Sequence, residues 1–199
     1  MATVLKFQRD PGADLPPESA AERRVRLGSQ ALVVLFTGLF WAFAAVMVTA
    51  LAAMLFYKGQ LLRLGAGGVY IGEIPPDTVA FAALPSDHRA VYFVVVLVRY
   101  LPVLLLFWHL RVLFQTFAKG HVFTRRAGVT LGRVGAWLCV YAVTPLLCHL
   151  ALDVTGYEID KQWVHVASVQ AFVLGLLVFV IGQVMQVGRE IREDWEGFV

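Results

Sequence analysis

The chain has 199 residues, of which 59% are hydrophobic and only 16% are charged, and its mean hydropathy is +0.70. Soluble domains average about 45–50% apolar and about 25% charged residues, so this composition argues against a water-soluble enzyme, a disordered chain or a secreted disulfide scaffold. The net charge of +3 does not indicate nucleic acid, because the basic residues flank apolar segments and form no face interleaved with aromatic residues. An integral membrane protein is therefore predicted.

The first predicted span follows a polar segment, residues 1–28, in which Ser19 and Glu22 have the spacing of a capping box. Ala31–Tyr57 is a run of 27 residues without a charge, well past the roughly 18 that indicate a membrane-spanning helix. The span is placed at residues 29–57. A cleaved signal sequence is the alternative, but the apolar stretch here is longer than the roughly 7–15 residues of a signal core.

Residues 58–89 are predicted to form an outer loop. Gly65, Gly67 and Gly68 favour one turn and Pro75-Pro76 another, so Val69–Ile71 and Thr78–Phe81 are predicted to form two short strands of a small hairpin.

Three further spans are predicted, and the apolar runs lack the alternation of a membrane β-barrel. In chain order, the second span is placed at 90–118, an inner loop at 119–130, the third span at 131–152, an outer loop at 153–163, the fourth span at 164–188 and a tail at 189–199. The predicted fold class is all-α, an integral membrane four-helix bundle with a small extracytoplasmic loop between helices 1 and 2.

The distribution of Lys and Arg predicts the orientation. Twelve lie in or beside the N-terminal segment, the 119–130 loop and the tail, whereas the opposite loops hold four, namely Lys58, Arg63, Arg89 and Lys161. An excess of basic residues marks the cytoplasmic side. Both termini are therefore predicted to be cytoplasmic.

Small residues at helical spacing predict close helix packing, because lipid gives apolar helices no hydrophobic reason to associate. The predicted packing positions are Gly38, Gly128, Gly132, Gly135, Gly175 and Gly182. Cys139 and Cys148 are nine residues apart, about half a turn out of phase, and are interpreted as buried, inert thiols.

Arg99 lies deep inside the second predicted span, which makes it a candidate functional residue. His149 and Asp153 lie one turn apart near the outer end of the third span, and Gln170 lies at a similar depth in the fourth. The hypothesis is a polar cluster of Arg99, His149, Asp153 and Gln170 that binds an anionic ligand. The alternative is an arginine whose head reaches interfacial water.

Three histidines near the outer interface, His88, His149 and His165, are weak candidates for haem or metal ligation. They have neither H-x-x-x-H nor H-E-x-x-H spacing, so no metal site and no cofactor are predicted. The sequence also has no G-x-S-x-G or Walker A motif, and no catalytic residue is assigned.

Two stretches resemble a bacterial membrane family, domain of unknown function 2975. The first runs from Leu113 to Thr124, with Lys119-Gly120 at a turn, and continues at Leu131–Gly135; the second runs from Leu174 to Val184 and on to Arg189–Asp194. The chain departs from the family at its end, Trp195–Val199. The resemblance implies a multi-pass bacterial membrane protein and no catalytic residue.

The leading prediction is a non-enzymatic accessory or regulatory subunit of an assembly in the bacterial inner membrane. Its expected partners are the lipid bilayer and other membrane proteins or further copies of the chain, and not nucleic acid. One alternative is a bundle centred on Arg99 that senses or transports a small ligand or ion. The other is a redox protein that binds haem or metal through the outer histidines.

Overall fold

The computed structural model describes residues 20–57, 59, 62–65, 68–71, 79–120, 124–156 and 166–197. Four long helices dominate it: α1 (Ala20–Phe56), α2 (Ser86–Ala118), α3 (Arg125–Thr155) and α4 (Val166–Gly197). Each contains a segment long and apolar enough to cross a membrane, namely Arg23–Phe56, Ser86–Ala118, Arg125–Val154 and Val166–Gly188. The prediction of four helices with this character is confirmed.

The connection between α2 and α3 lies between Ala118 and Arg125. Lys119 caps the end of α2, and Gly120 follows in the left-handed region with φ of 79° while its N–H donates to the Phe117 carbonyl. The Thr124 side chain then accepts a hydrogen bond from the Ala127 N–H at 3.2 Å. This cap satisfies one of the free amides of a helix start, so α3 begins at Arg125 and extends on the N-terminal side of the predicted third span.

The helices pack in their sequence order. Extensive contacts join α1 to α2, α2 to α3 and α3 to α4, and no other pair of helices shares a comparable interface within the described residues. We call this arrangement the open row. A closed bundle would also pack α1 against α4, whereas the open row leaves each of these two helices with one extensively packed helix neighbour.

Consecutive helices run antiparallel. On the first pair, Phe36 contacts Phe114 while Phe43 contacts Phe107 and Tyr100, so residue numbers rise on α1 as they fall on α2. The α3–α4 contacts show the same order. The start of α1, the end of α2, the start of α3 and the end of α4 therefore lie at one end of the open row. We call this the basic end, since it carries Arg23, Arg24, Arg26, Lys119, Arg125 and Arg126.

The opposite end of the row is covered by a small antiparallel sheet. Its strands are β1 (Leu62–Gly65), β2 (Gly68–Ile71) and β3 (Val79–Ala80), with β1 in the centre and paired to both others. The predicted hairpin is therefore corrected: the two predicted strands exist, but they pair with β1 and not with each other. Sequence reasoning assigned Gly65 to a turn and missed β1, whose four residues are too short to show a pattern.

The sheet attaches to the helices through a buried apolar cluster. Leu62 of β1 and Phe81, in the 3-10 turn Phe81–Ala83, are 3% and 2% exposed. They pack with Met54, Tyr92, Val96 and Leu152 from the ends of α1, α2 and α3. The cluster therefore joins three helices at the end remote from the basic end.

Candidate functional site

The structure places Arg99 on α2 beside α3, which carries His149 and Asp153, and it places Gln170 on α4. Arg99 is half-buried and lies within electrostatic reach of the Cys148 thiol. His149 is half-buried, whereas Asp153 and Gln170 are exposed. In the part of the chain that the structure describes, no ion pair of 4.0 Å or less joins Arg99 to Asp153. The ligand-binding role of these four residues therefore stays a prediction.

Of the three candidate histidines, the structure describes His88 and His149. His88 lies near Asp87, with 3.9 Å between His88 Nε2 and the carboxylate, at the start of α2. His149 lies on α3, and His165 lies outside the described residues. Among the residues described, no three of His, Cys, Asp or Glu are grouped so that they could hold a metal ion.

Five of the predicted glycines lie where α3 and α4 approach most closely. A Cβ atom at Gly135 would lie 2.5 Å from the Phe179 nitrogen and 2.6 Å from the Gly175 carbonyl oxygen. A Cβ atom at Gly182 would lie 2.7 Å from the Gly132 nitrogen, and one at Gly128 would meet Gln186. The absence of side chains at these glycines lets the two helix backbones come into direct contact.

The two predicted thiols, Cys139 and Cys148, are free cysteines of α3.

Gly38 occupies a different environment. It is exposed, and a Cβ atom there would meet no atom within 4 Å. Ala42, Ala45 and Thr49 are exposed as well. We call these four residues the α1 stripe. They recur at steps of four, three and four residues, the spacing at which the small residues of a packed helix pair recur.

The α1 stripe points directly away from α2. The residues of α1 that face α2 are buried or half-buried and include Ser29, Phe36, Phe40, Phe43 and Met54. At about 100° per residue, this set and the α1 stripe fall on opposite sides of the helix. Phe36 stacks on Phe114 with 5.6 Å between ring centroids, and Phe43 meets Phe107 edge-on at 6.0 Å. The α1–α2 interface is thus aromatic, and the small residues lie on the side without a helix.

A cavity of about 370 Å³ opens at the basic end, between the last turns of α2 and the start of α3. It is lined by Val112, Gln115, Thr116, Lys119, Thr124 and Arg126. We call it the α2–α3 cavity. Sequence reasoning missed it, because Lys119 and Arg126 were counted only as orientation signals. One signal was present: residues 88–152 hold seven Lys or Arg residues and no Asp or Glu.

Comparison with known proteins identifies one family. The family model described as a protein of unknown function (DUF2975) matches residues 70–197, more than half of the chain. No curated protein and no solved structure matches the chain. The family match begins within β2 and extends through α4, so α1 and the α1 stripe lie outside it.

Proposed function

Because the chain belongs to the DUF2975 family, whose function is unknown, we propose its role from its own surfaces: a non-enzymatic accessory subunit of a membrane assembly. The α1 stripe is the observation that carries this proposal. We propose that it packs against a transmembrane helix of another membrane protein.

The α3–α4 interface supports this proposal by comparison within the same chain. There, glycines at helical spacing are covered by a neighbouring helix, and backbones touch. The α1 stripe has similar small residues at similar spacing, yet it is exposed. Close packing of small residues is a principal source of helix association in lipid. A helix seated on the α1 stripe would gain the close contact that α4 gains on α3.

The proposed location is the bacterial inner membrane, with both termini in the cytoplasm. The contacts between antiparallel helices put the start of α1 and the end of α4 at the basic end, and twelve of the sixteen Lys and Arg residues other than Arg99 lie in or beside the segments of that side. The positive-inside tendency makes that side cytoplasmic. A C-terminal fusion to a fluorescent protein that matures only in the cytoplasm should therefore fluoresce. A full-length fusion without fluorescence would show that the C-terminus lies outside the cytoplasm, which would contradict the proposed orientation.

The docking proposal predicts that Gly38→Leu releases the chain from its assembly. The new side chain has open space in the isolated chain, so the fold should be retained, but it would fill the α1 stripe and hold a partner helix away. Native mass analysis after gentle detergent extraction should show the wild type in a species heavier than the chain. The assembled fraction of the variant should fall on the order of tenfold, equivalent to about 1.4 kcal/mol.

Val46→Leu is the matched control, because Val46 is 66% exposed on the flank of α1 and already carries a large side chain. This variant should assemble as the wild type does. A wild-type chain that is extracted only as a monomer, or a Gly38→Leu variant that assembles normally, would contradict the proposal. A heavier species whose mass is a whole multiple of the chain mass would show that the partner is a second copy of the chain and not another protein.

A further inference from the structure

The α2–α3 cavity has a lining suited to an anion. Lys119 and Arg126 supply two positive charges, Gln115, Thr116 and Thr124 supply neutral polar groups, and none of the lining residues is acidic. Both cationic side chains are exposed, and no carboxylate of the described residues lies within 4.0 Å of either. The charges that face the cavity are therefore not neutralised by that part of the chain.

Hydrogen-bond donors at the cavity add to the attraction of these charges for an anion. The Gln115 side chain has no hydrogen-bond partner within the described residues and is half-buried at the cavity wall. The cavity also adjoins the start of α3, where Thr124 satisfies the Ala127 amide and the Thr124 carbonyl satisfies the Gly128 amide. The amides of Arg125 and Arg126 precede these and have no intrahelical acceptor. A helix start with such amides favours anions.

The size and position of the cavity limit the class of ligand that it can bind. About 370 Å³ lies within the range of roughly 300–1,000 Å³ that holds organic ligands, so it exceeds the needs of a simple inorganic ion. The apolar Val112 lines the wall one turn before Thr116, toward the membrane-spanning part of α2. The cavity lies at the basic end, where a bilayer would present its headgroups.

We propose that the α2–α3 cavity binds the phosphate group of an organic phosphate. Lys119 and Arg126 contact its oxygens, and Gln115 donates a hydrogen bond to it. Arginine and lysine suit this ligand because a charge-assisted hydrogen bond to phosphate is about twice as strong as a neutral one. The phosphate belongs either to a phospholipid headgroup or to a soluble phosphate ester, since both present the same group.

The test uses the purified full chain in a neutral detergent, with native mass analysis of bound ligand. Phosphatidylglycerol and glycerol 3-phosphate are titrated separately, and phosphatidylcholine serves as a zwitterionic comparison. Lys119→Gln/Arg126→Gln should weaken binding of the preferred ligand by at least tenfold, because each basic residue near an anionic headgroup contributes about 1 kcal/mol. Binding of phosphatidylglycerol alone identifies a lipid site, and binding of glycerol 3-phosphate identifies recognition of the free ester.

Arg23→Gln/Arg24→Gln is the matched control, since it removes the same charge from exposed positions at the basic end but outside the cavity. It should leave binding within about twofold of the wild type. Gln115→Leu should weaken binding several-fold without changing charge, which general electrostatic attraction cannot produce. Three results would overturn the proposal. The two double variants could lose equal amounts of ligand binding, or Gln115→Leu could leave binding unchanged. The folded wild type could also bind neither phosphate compound.

Discussion

Replacing Gly135 with alanine is expected to weaken the α3–α4 interface more than any other single methyl group added to the chain. The new Cβ would lie 2.5 Å from the Phe179 nitrogen and 2.8 Å from the Phe179 Cα, so the opposing atoms belong to the backbone of α4. A backbone cannot rotate aside as a flexible side chain can, and the two helices must separate. Overpacking of this kind costs about 1–3 kcal/mol, and the absence of a yielding side chain favours the upper end.

The measurement is the free energy of unfolding from titration with a denaturing detergent, with circular dichroism to verify that the helices are retained. Gly132→Ala is the matched control on the same helix, since a Cβ there meets no atom within 4 Å. Alanine also has a higher helix propensity than glycine, so this control should be neutral or stabilised by up to about 1 kcal/mol. Similar destabilisation by both substitutions would show that α3 and α4 do not approach each other as described.

Removing the Phe107 ring should loosen the attachment of α1. Phe107 lies between two rings of α1, with centroid distances of 6.4 Å to Phe36 and 6.0 Å to Phe43. Each aromatic pair contributes about 0.5–1.5 kcal/mol beyond the area it buries, so Phe107→Ala should cost about 1–3 kcal/mol. Lipid can occupy part of the space left behind, which keeps the loss below that of a phenylalanine in a water-soluble core.

A double-mutant cycle isolates this contact. Phe36→Ala and Phe107→Ala should show a coupling energy of about 0.5–1.5 kcal/mol in the same detergent titration. Phe172 is the control partner, because it lies exposed on α4 and has no ring contact among the described residues. Phe36→Ala combined with Phe172→Ala should be additive. Equal coupling in both cycles would contradict a specific aromatic interface between α1 and α2.

Hydropathy predicted the four helices well. In lipid, each spanning segment must form its backbone hydrogen bonds within itself, so its apolar composition alone indicates a helix. Local turn chemistry was also readable, since the left-handed Gly120 and the capping Thr124 depend on their immediate neighbours. The order of helices in the open row could not be read in this way. An apolar face looks the same whether a helix or lipid covers it, so Gly38 and Gly135 were indistinguishable in sequence.

The candidate site also combines features that the sequence reveals with features that depend on packing. Arg99 was conspicuous because a charge deep inside a span stands out, whereas the exposure of Asp153 and Gln170 could not be read from their spacing. Lys119 and Arg126 were inconspicuous because basic residues are common beside spans. Their common cavity depends on how α2 ends and α3 begins in space, which residue spacing alone does not reveal.

The open row also bears on how the chain is assembled during synthesis. Each extensive helix interface joins segments that follow one another in the sequence, so every pair can form as soon as its second helix has entered the bilayer. Of these pairings, the α3–α4 pairing alone waits for the last helix, whereas a closed ring of helices would also leave α1 without its final neighbour until α4 arrived. Contacts between neighbours in sequence have a small loop-closure cost and form rapidly. We therefore expect stepwise insertion from the N-terminus to the C-terminus, with little apolar surface left unmatched between steps.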